Sequence, residues 1–402
     1  MNEKLVPKLR FNGFNDEWAT FKLGEIITLM QSGLSRQLSV EDIGVPVLRS
    51  NNIVNGQIDV SDIKFWYLID TKGSRTENYF LKKDDLLVNF INSLGKMGKS
   101  AVYNDELKRP TIFTTNLMRL NFKKDIDTYF IYYFFNTTYY KNYIDKITKP
   151  AVNQASFTTK DFKKMELKIP TMHEQFKISK FLKHIDKKIE LLENKLEYYQ
   201  DFKKYLMQQI FTQKLRFDEN CQYKTKKVKD FLVESKIEGT DDISKRLTVK
   251  LNLKGITIRE SKTIEIEGAT KQFIRKSGQF IYGKQNLHKG AFGIVPKELD
   301  GYLTSSDIPS FDFKGEIEPK WFYYYFSRKS FYEKLENLST GTGSKRISPK
   351  EFLNIKIIVP EIEEQQRIVY LLAKIDEKIN QNGDQILQMN KFKKSLLQQM
   401  FI

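Results

Sequence analysis

Residues 165–189 read MELKIPTMHEQFKISKFLKHIDKKI, and residues 355–379 read IKIIVPEIEEQQRIVYLLAKIDEKI. They belong to a longer correspondence. Residues 158–211 return at 348–401 without a gap, 190 positions further on, and 18 of the 54 aligned pairs are identical. Each copy opens with a short extended run closed by proline, at 165–170 and 354–360. Proline ends the strand, and Glu174 or Glu364 then falls in a first helical turn, where a carboxylate meets the positive end of the dipole. Apolar positions follow at Ile178, Leu182, Ile185, Ile189, Leu192, Leu196, Tyr199, Phe202 and Leu206. The second copy gives Ile368, Leu372, Ile375, Ile379, Asn382, Ile386, Met389, Phe392 and Leu396. Steps of four and three make the seam of a coiled coil. The short step from Tyr199 to Phe202, present in both copies, predicts a stammer.

A helix of roughly 40 residues would be about 60 Å long. Two such seams in one chain most simply pack on each other, antiparallel if a two-fold axis relates the copies, with a variable domain at each end of the rod. Asn382 is either a register-fixing polar residue in the seam or a residue lying off it, and Gly383 is a weak point of the second helix.

A period of 190 is far longer than the roughly 20–50 residues of a solenoid repeat. It implies a duplicated domain and internal two-fold pseudo-symmetry, which suits a target or partner that itself comes in two halves. Four blocks result: a variable block 1–157, a constant segment 158–215, a second variable block 216–347 and a second constant segment 348–402. The variable blocks are weakly related. Lys22–Ile26 resembles Lys227–Phe231, Leu94-Gly95-Lys96 resembles Leu287-His288-Lys289, and Tyr132–Phe135 resembles Tyr323–Phe326. Their offsets shrink from 205 through 193 to 191, as expected of a copy shortened in its loops.

Short β-rich runs (45–48, 86–91, 101–103, 280–282 and 293–295) alternate with Gly, Asn and Ser turns, and an aromatic helix closes each block at about 126–146 and 319–336. The fold class expected is α+β: two α/β domains with twisted sheets, separated by two long antiparallel coiled-coil helices. The aromatic stretches read as core rather than as base-stacking platforms.

The 402 residues allow two to three domains, and a 40% hydrophobic, 13% aromatic composition supplies their cores. A net charge of +17 points to a polyanionic partner. Nucleic acid fits better than a membrane surface, which is usually met by one short polybasic segment or one amphipathic helix; here lysines run along the whole chain. A lysine-rich proteome from an AT-rich genome is the plain alternative. Cys221 is the single cysteine, so no internal disulfide or cysteine-based zinc site is expected, and His173, His184 and His288 are too scattered for a histidine metal site. The N-terminus lacks an apolar signal core and no run approaches 18 apolar residues, so a cytoplasmic protein is expected.

The segment Ser93–Ser100 (SLGKMGKS) looks like a phosphate-binding loop, but Ser93 stands where that pattern needs its first glycine, and the second block has Ala291-Phe292-Gly293 at the aligned place. A turn offering backbone N–H groups with Lys96 and Lys99 to DNA phosphate is the better functional reading, and a plain surface turn the other. Lys149–Gln154 and Gly341–Arg346 occupy equivalent places just before the constant segments. Asn153, Gln154, Lys345 and Arg346 suit base edges or phosphates, arginine matching guanine and amides matching adenine; as linkers the same residues would do nothing specific. Arg49-Ser50-Asn51-Asn52, Lys284-Gln285 and Lys289 have similar chemistry at strand ends and turns. Catalytic signatures are missing. There is no Pro-Asp dipeptide to begin a common nuclease arrangement, no Asn-Pro-Pro-Tyr-like adenine pocket, and no cofactor-type glycine loop.

The paired motif Ile169-Pro170, Glu174-Gln175, Ile178, Leu182, Ile185-Asp186, Lys188-Ile189 and Val359-Pro360, Glu364-Gln365, Ile368, Leu372, Ile375-Asp376, Lys378-Ile379 resembles the specificity (S, HsdS) subunit of type I restriction-modification systems, over essentially the full length. The resemblance implies a non-catalytic DNA-recognition subunit. Each variable block would be a target recognition domain reading one half of a bipartite, asymmetric double-stranded site. The constant helices would set the spacer and dock two modification (methyltransferase) subunits. S-adenosylmethionine, ATP and Mg would belong to those and to two restriction (translocase/endonuclease) subunits, with no cofactor, metal or catalytic residue in this chain.

Overall fold

The structure is a computed structural model that describes residues 6–70, 72–151, 154–260, 270–339 and 345–402. Two compact units divide the chain: Met1–Glu193 together with Asp384–Ile402, and Asn194–Gly383. Each contains α and β structure, and each takes parts of both long helices, Met172–Phe211 and Ile362–Met400.

The helices start where the sequence stops the preceding strands. Glu166–Ile169 and Lys356–Val359 end at Pro170 and Pro360, and acidic residues occupy the first helical turns. Along the first helix, side chains turn inward at Ile178, Leu182, Ile185, Ile189, Leu192, Leu196, Tyr199, Lys203, Leu206 and Ile210. The steps alternate four and three without interruption, so the predicted stammer is absent. Phe202 and Phe392 are 39% and 49% exposed, and the seam passes through Lys203 and Lys393 instead. Apolar pattern alone misled here, because a lysine with a buried stem and a paired head can occupy a seam position. Asn382 lies in the seam, 3% exposed.

Within the first unit the helical segments run antiparallel. Lys393 meets Asp186 at 2.5 Å, while Leu192 lies with Gln385 and Gln388 around one shallow cleft. In the second unit Lys203 meets Asp376 at 2.6 Å, the same pair 190 residues removed.

The sheets repeat in the same way. In the first unit four antiparallel strands lie in the order Ile27–Ser32, Leu117–Phe122, Leu86–Asn89, Ser100–Val102; in the second the order is Leu232–Ser235, Ser310–Phe313, Phe280–Tyr282, Phe292–Ile294. A strand of each variable block also pairs with the extended run ahead of a long helix, Ala19–Lys22 with Glu166–Ile169 and Lys224–Lys227 with Lys356–Val359. The remaining strands diverge. The first unit has a three-stranded sheet of Ile112–Phe113, Val45–Leu48 and Lys64–Trp66. The second has Glu238–Gly239, Gln272–Arg275 and Tyr302–Ser305, with a separate hairpin of Leu247–Val249 and Ile256–Ile258.

The aromatic stretches form core, as their composition predicts. Phe130, Tyr133 and Phe134 in one unit and Trp321, Phe322 and Phe326 in the other are nearly or fully buried. Neither stretch is one helix. Thr128–Phe134 gives way to Thr138–Ile147, capped by the Thr137 hydroxyl, and Pro319–Phe326 gives way to Lys329–Tyr332 and a 3-10 turn. A side-chain acceptor at the new N-terminus satisfies a backbone donor that a continuous helix would satisfy internally.

A further repeat escapes the offset-190 alignment: Lys8-Leu9-Arg10-Phe11 is identical to Lys214-Leu215-Arg216-Phe217. Both tetrads dock on the end of a long helix, through Leu9 N–H to the Gln399 carbonyl at 2.9 Å and Leu215 N–H to the Gln209 carbonyl at 3.1 Å.

Candidate nucleic-acid interface

In each unit three chain segments meet, held by backbone hydrogen bonds that match one for one. In the first unit Phe157 N–H donates to the Phe90 carbonyl (3.4 Å), Phe90 N–H to Asn116 (3.2 Å), and Leu117 N–H to Thr114 (3.0 Å). In the second Ile347 N–H donates to Lys284 (2.9 Å), Lys284 N–H to Asp307 (2.9 Å), and Ile308 N–H to Ser305 (3.1 Å). Ala155–Ser156 further pairs with Ile91–Asn92.

This frame sorts the residues singled out by sequence. Lys96 and Asn51 come together, Lys96 Nζ donating to Asn51 Oδ1 at 2.9 Å, and the Asn92 carboxamide oxygen caps the same turn by accepting from Ser93 N–H at 2.8 Å. Gln154 is exposed beside Ala155; Asn153 lies outside the described residues. Lys99 is exposed on the next stretch. In the second unit Lys284 and Arg346 come together through the Ile347–Lys284 hydrogen bond. Arg346 Nη1 donates to Asp307 Oδ1 at 3.0 Å, and Lys345 pairs with Glu336 at 3.4 Å. Gln285 and Lys289 are exposed on the turn that follows, and of the preceding loop 341–344 lies outside the described residues.

Arg49 and Asn52 have other work. The Asn52 side chain is buried, accepts from Arg49 N–H (2.9 Å) and donates to the carbonyls of Asp59 and Asp62 (2.8 and 3.1 Å). Arg49 forms an ion pair with Asp62 at 2.6 Å. Both close the Ile53–Val54/Gln57–Ile58 hairpin, while Ser50 is half-buried in the intervening turn. The segment Ser93–Ser100 is not a nucleotide loop. Leu94–Lys96 is one 3-10 turn, and the chain continues into the strand Ser100–Val102 where a phosphate loop requires a helix. Gly98 is required there: its φ is +70°, and a Cβ would meet Ile144 at 2.9 Å.

The frame also brings in Asn92, Asn116, Ser156 and Asp307, which sequence reading did not single out. Asp307 had no visible signal, because it is an ordinary loop aspartate until the fold brings it to Arg346 across 39 residues.

In each unit a Lys–Asp–Tyr triad, away in sequence from the frame segments (hereafter the tip), ties the helix pair to the sheet domain. Tyr133 donates to Asp186 Oδ2 at 2.8 Å and Tyr324 to Asp376 Oδ2 at 2.7 Å, with Lys393 and Lys203 on the other carboxylate oxygens. Burial, reinforced by the adjacent carboxylate, raises the ionisation of both tyrosines well above the ordinary phenol range, so both donate at neutral pH. Glu174 and Gln175 are buried: the carboxylate takes two hydrogen bonds from Arg10, and the amide joins Asp127 N–H to the carbonyls of Asp125 and Pro170. Gln365 repeats that bridge with Glu318, Glu316 and Pro360. In the second sheet domain Arg275 is 1% exposed, hydrogen-bonded to Thr304, Ser310 and the Ile308 carbonyl, and burial pushes its ionisation down to about 10.

Two α/β units thus carry one backbone frame, with basic and polar side chains on it in each. The chain matches the family model for the type I restriction modification DNA specificity domain twice, over residues 15–198 and 220–389, and it belongs to that family. It is 25% identical over 418 aligned positions to the putative type I restriction enzyme MjaX specificity subunit of Methanocaldococcus jannaschii, covering 98% of this chain and 95% of that one. It is 32% identical over 99 positions to the MjaVIII specificity subunit of the same organism, 25% of this chain and 23% of that one. Its fold is similar to the crystal structure of the type I restriction-modification S subunit from M. genitalium, with a TM-score of 0.60 at 14% identity over 99% of each chain. It is also similar to a chain from a structure on complex assembly and conformational transition of the type I R-M system, with a TM-score of 0.52 at 12% identity over 94% and 96% of the two chains. Among the described residues no helix is long and apolar enough to cross a membrane.

Proposed function

We propose that this chain is the non-catalytic DNA sequence-recognition subunit of a type I restriction-modification complex acting in the cytoplasm. Residues 1–157 and 216–347 serve as target recognition domains, each binding one half of a bipartite asymmetric duplex site. Residues 158–215 and 348–402 set the spacer and dock two modification subunits, to which two restriction subunits are added. S-adenosylmethionine, ATP and Mg act in those partners.

The observation that carries this reading is the frame repeated in both units with different side chains at its tips, in a chain of net charge +17. A duplicated frame delivers two reading heads, and their divergence lets each read a different half. Phosphate contacts by lysines supply affinity that falls with salt, whereas base-edge contacts supply sequence. In the DNA-binding residues Arg49, Ser50, Asn51, Asn52, Lys96, Lys99, Asn153, Gln154, Lys284, Gln285, Lys289, Lys345 and Arg346 we separate two roles. Arg49 and Asn52 hold the first tip in shape, and the others serve as contacts to the duplex.

The test is to assemble the chain with its modification subunits and map methylated sites across a genome. Exchanging residues 216–347 for the corresponding segment of another specificity subunit is expected to change one half-site only. Inserting one heptad into each long helix is expected to change the gap and leave both half-sites intact. Change of both half-sites on the exchange overturns the reading, as does methyl transfer or cleavage by the purified chain alone.

A further inference from the structure

The two tips share a backbone and differ in chemistry. At matched places the first unit carries Phe90, Asn116 and Ser156, and the second carries Lys284, Asp307 and Arg346. Three neutral side chains in one unit stand where the other has two cations and a carboxylate. Phe90 packs against Phe157 at the edge of its core, but core packing does not demand the change at the other places, since Ser156 and Arg346 are both exposed and the hydrogen bonds of the frame are made by backbone atoms alone.

Arg346 is also held. Its Nη1 lies 3.0 Å from Asp307 Oδ1, the pair remains about half exposed at 47% and 52%, and the next residue, Ile347, is fully buried and bonded to the Lys284 carbonyl. Ile347 also accepts from the buried Tyr282 hydroxyl at 3.1 Å. The main chain next to Arg346 is therefore anchored through both peptides that flank Ile347, and the guanidinium is oriented by a carboxylate from a different segment. An exposed ion pair of this kind adds little stability. Its effect is to fix the direction of a planar five-donor fork, which is the geometry that engages guanine O6 and N7 together.

We propose that Arg346 is the guanine-reading residue of the second recognition domain, that Asp307 is its positioning residue, and that the first domain has no counterpart because Ser156 and Asn116 stand at those places. The inference rests on the DNA-recognition reading above and adds a base and a residue to it. A lysine at position 346 would keep the charge and lose the fork, so charge alone does not reproduce the preference.

The experiment uses the full chain assembled with its modification subunits and a random-sequence duplex library as probe, followed by sequencing of the bound fraction. The wild type is expected to select a split site with guanine at one position of the half that the exchange of residues 216–347 replaces. Arg346→Ala and Arg346→Lys are each expected to lower the preference for that guanine about ten-fold, with the other half-site unchanged. Asp307→Asn lowers it by a smaller factor, and Asp307→Glu, which keeps the carboxylate, restores it. All four variants should melt with the wild type. A wild-type second half-site without guanine, or an Arg346→Ala chain that keeps every preference, overturns this inference alone. Equal loss at both half-sites also overturns it, since that marks a general structural role. A wild type that selects no split site overturns the recognition reading and this inference with it.

Discussion

The two sheet domains keep the same contacts with different residues. In the first, Lys82 N–H is capped by the Asp85 carboxylate, Asp84 takes a positive φ, and Asn121 Nδ2 donates to Asp85 at 2.5 Å. In the second, Lys276 N–H is capped by the Gln279 amide oxygen, Gly278 takes the positive φ, and Gln279 Nε2 donates to Asp312 at 2.8 Å. Carboxylate and amide have changed strands, and the hydrogen bond between them survives with its direction reversed. The buried guanidinium is treated likewise. Arg119 reaches from the sheet to the Phe80 carbonyl, whereas Arg275 comes from the facing segment and reaches Ser310 in the sheet. The position of each bond is the same in the two units, and the residues that make it differ. Sequence similarity therefore fades in these blocks while the fold does not.

The strongest way to break this equivalence is at the cores. Phe162 and Phe352, 190 residues apart, are both fully buried. Phe162 sits among Phe135, Tyr140 and Phe157; Phe352 packs with Phe280, Tyr282, Phe311 and Phe326. Truncation of either to alanine is expected to cost about 3–5 kcal/mol. Calorimetry on the single variants should show comparable losses, and a difference beyond about 2 kcal/mol would mean that the two cores are not equivalent in strength.

The constant segments were legible because their side chains do the same job twice. Ile178, Leu182, Glu174 and Gln175 have identical partners at 368, 372, 364 and 365, so spacing and identity carry the same message. The variable blocks were legible only where the job needs one residue type, as with the aromatic core. Arg49 and Asn52 looked like free base-readers because sequence does not disclose Asp62, ten residues beyond Asn52, as their shared partner. The Lys203 and Lys393 seam positions were hidden for the converse reason. A pattern of apolar residues cannot register a lysine neutralised by an aspartate 173 residues away, or by one on the other long helix of the same unit.

A smaller effect is expected at those seam triads. Asp186→Ala and Asp376→Ala each leave a lysine without its carboxylate and a buried tyrosine without its acceptor. A fully buried pair broken in this way costs about 3–5 kcal/mol; with side chains 21–34% exposed the expected loss is about 2 kcal/mol. Replacing both partners, as in Asp186→Ala with Lys393→Met, should recover much of it, because no unpaired charge remains. Urea denaturation of the singles and the pair checks this, and an additive double variant would show that the ion pair contributes nothing.

The reversed hydrogen bond can be put to a direct trial. Asp85→Asn alone leaves one carbonyl oxygen for the two donors Lys82 N–H and Asn121 Nδ2 and removes the charge 3.5 Å from Arg119, with an expected loss of about 1–2 kcal/mol. Adding Asn121→Asp recreates the order found at Gln279 and Asp312, and at least half of the loss should return. No recovery in the denaturation midpoint would mean that Arg119 needs its carboxylate on one particular strand, and that the exchange between units is more constrained than it looks.

The smallest change in stability, and the sharpest contrast between the tips, is expected at Lys96. Its side chain is half-buried and donates to Asn51, in a turn whose Gly95 has open space around it. Lys96→Ala should alter stability by no more than about 0.5 kcal/mol. A lysine is a point charge without a fork, so its contribution falls on phosphate and not on base identity. Binding to duplexes of any sequence should weaken together, and the slope of log affinity against log salt should fall by about 1. Arg346→Ala, in the other tip, should change which sequence is chosen. A Lys96→Ala chain that keeps its salt slope but shifts its preferred half-site would exchange those roles, making the first tip a reader through Lys96 and not an electrostatic anchor.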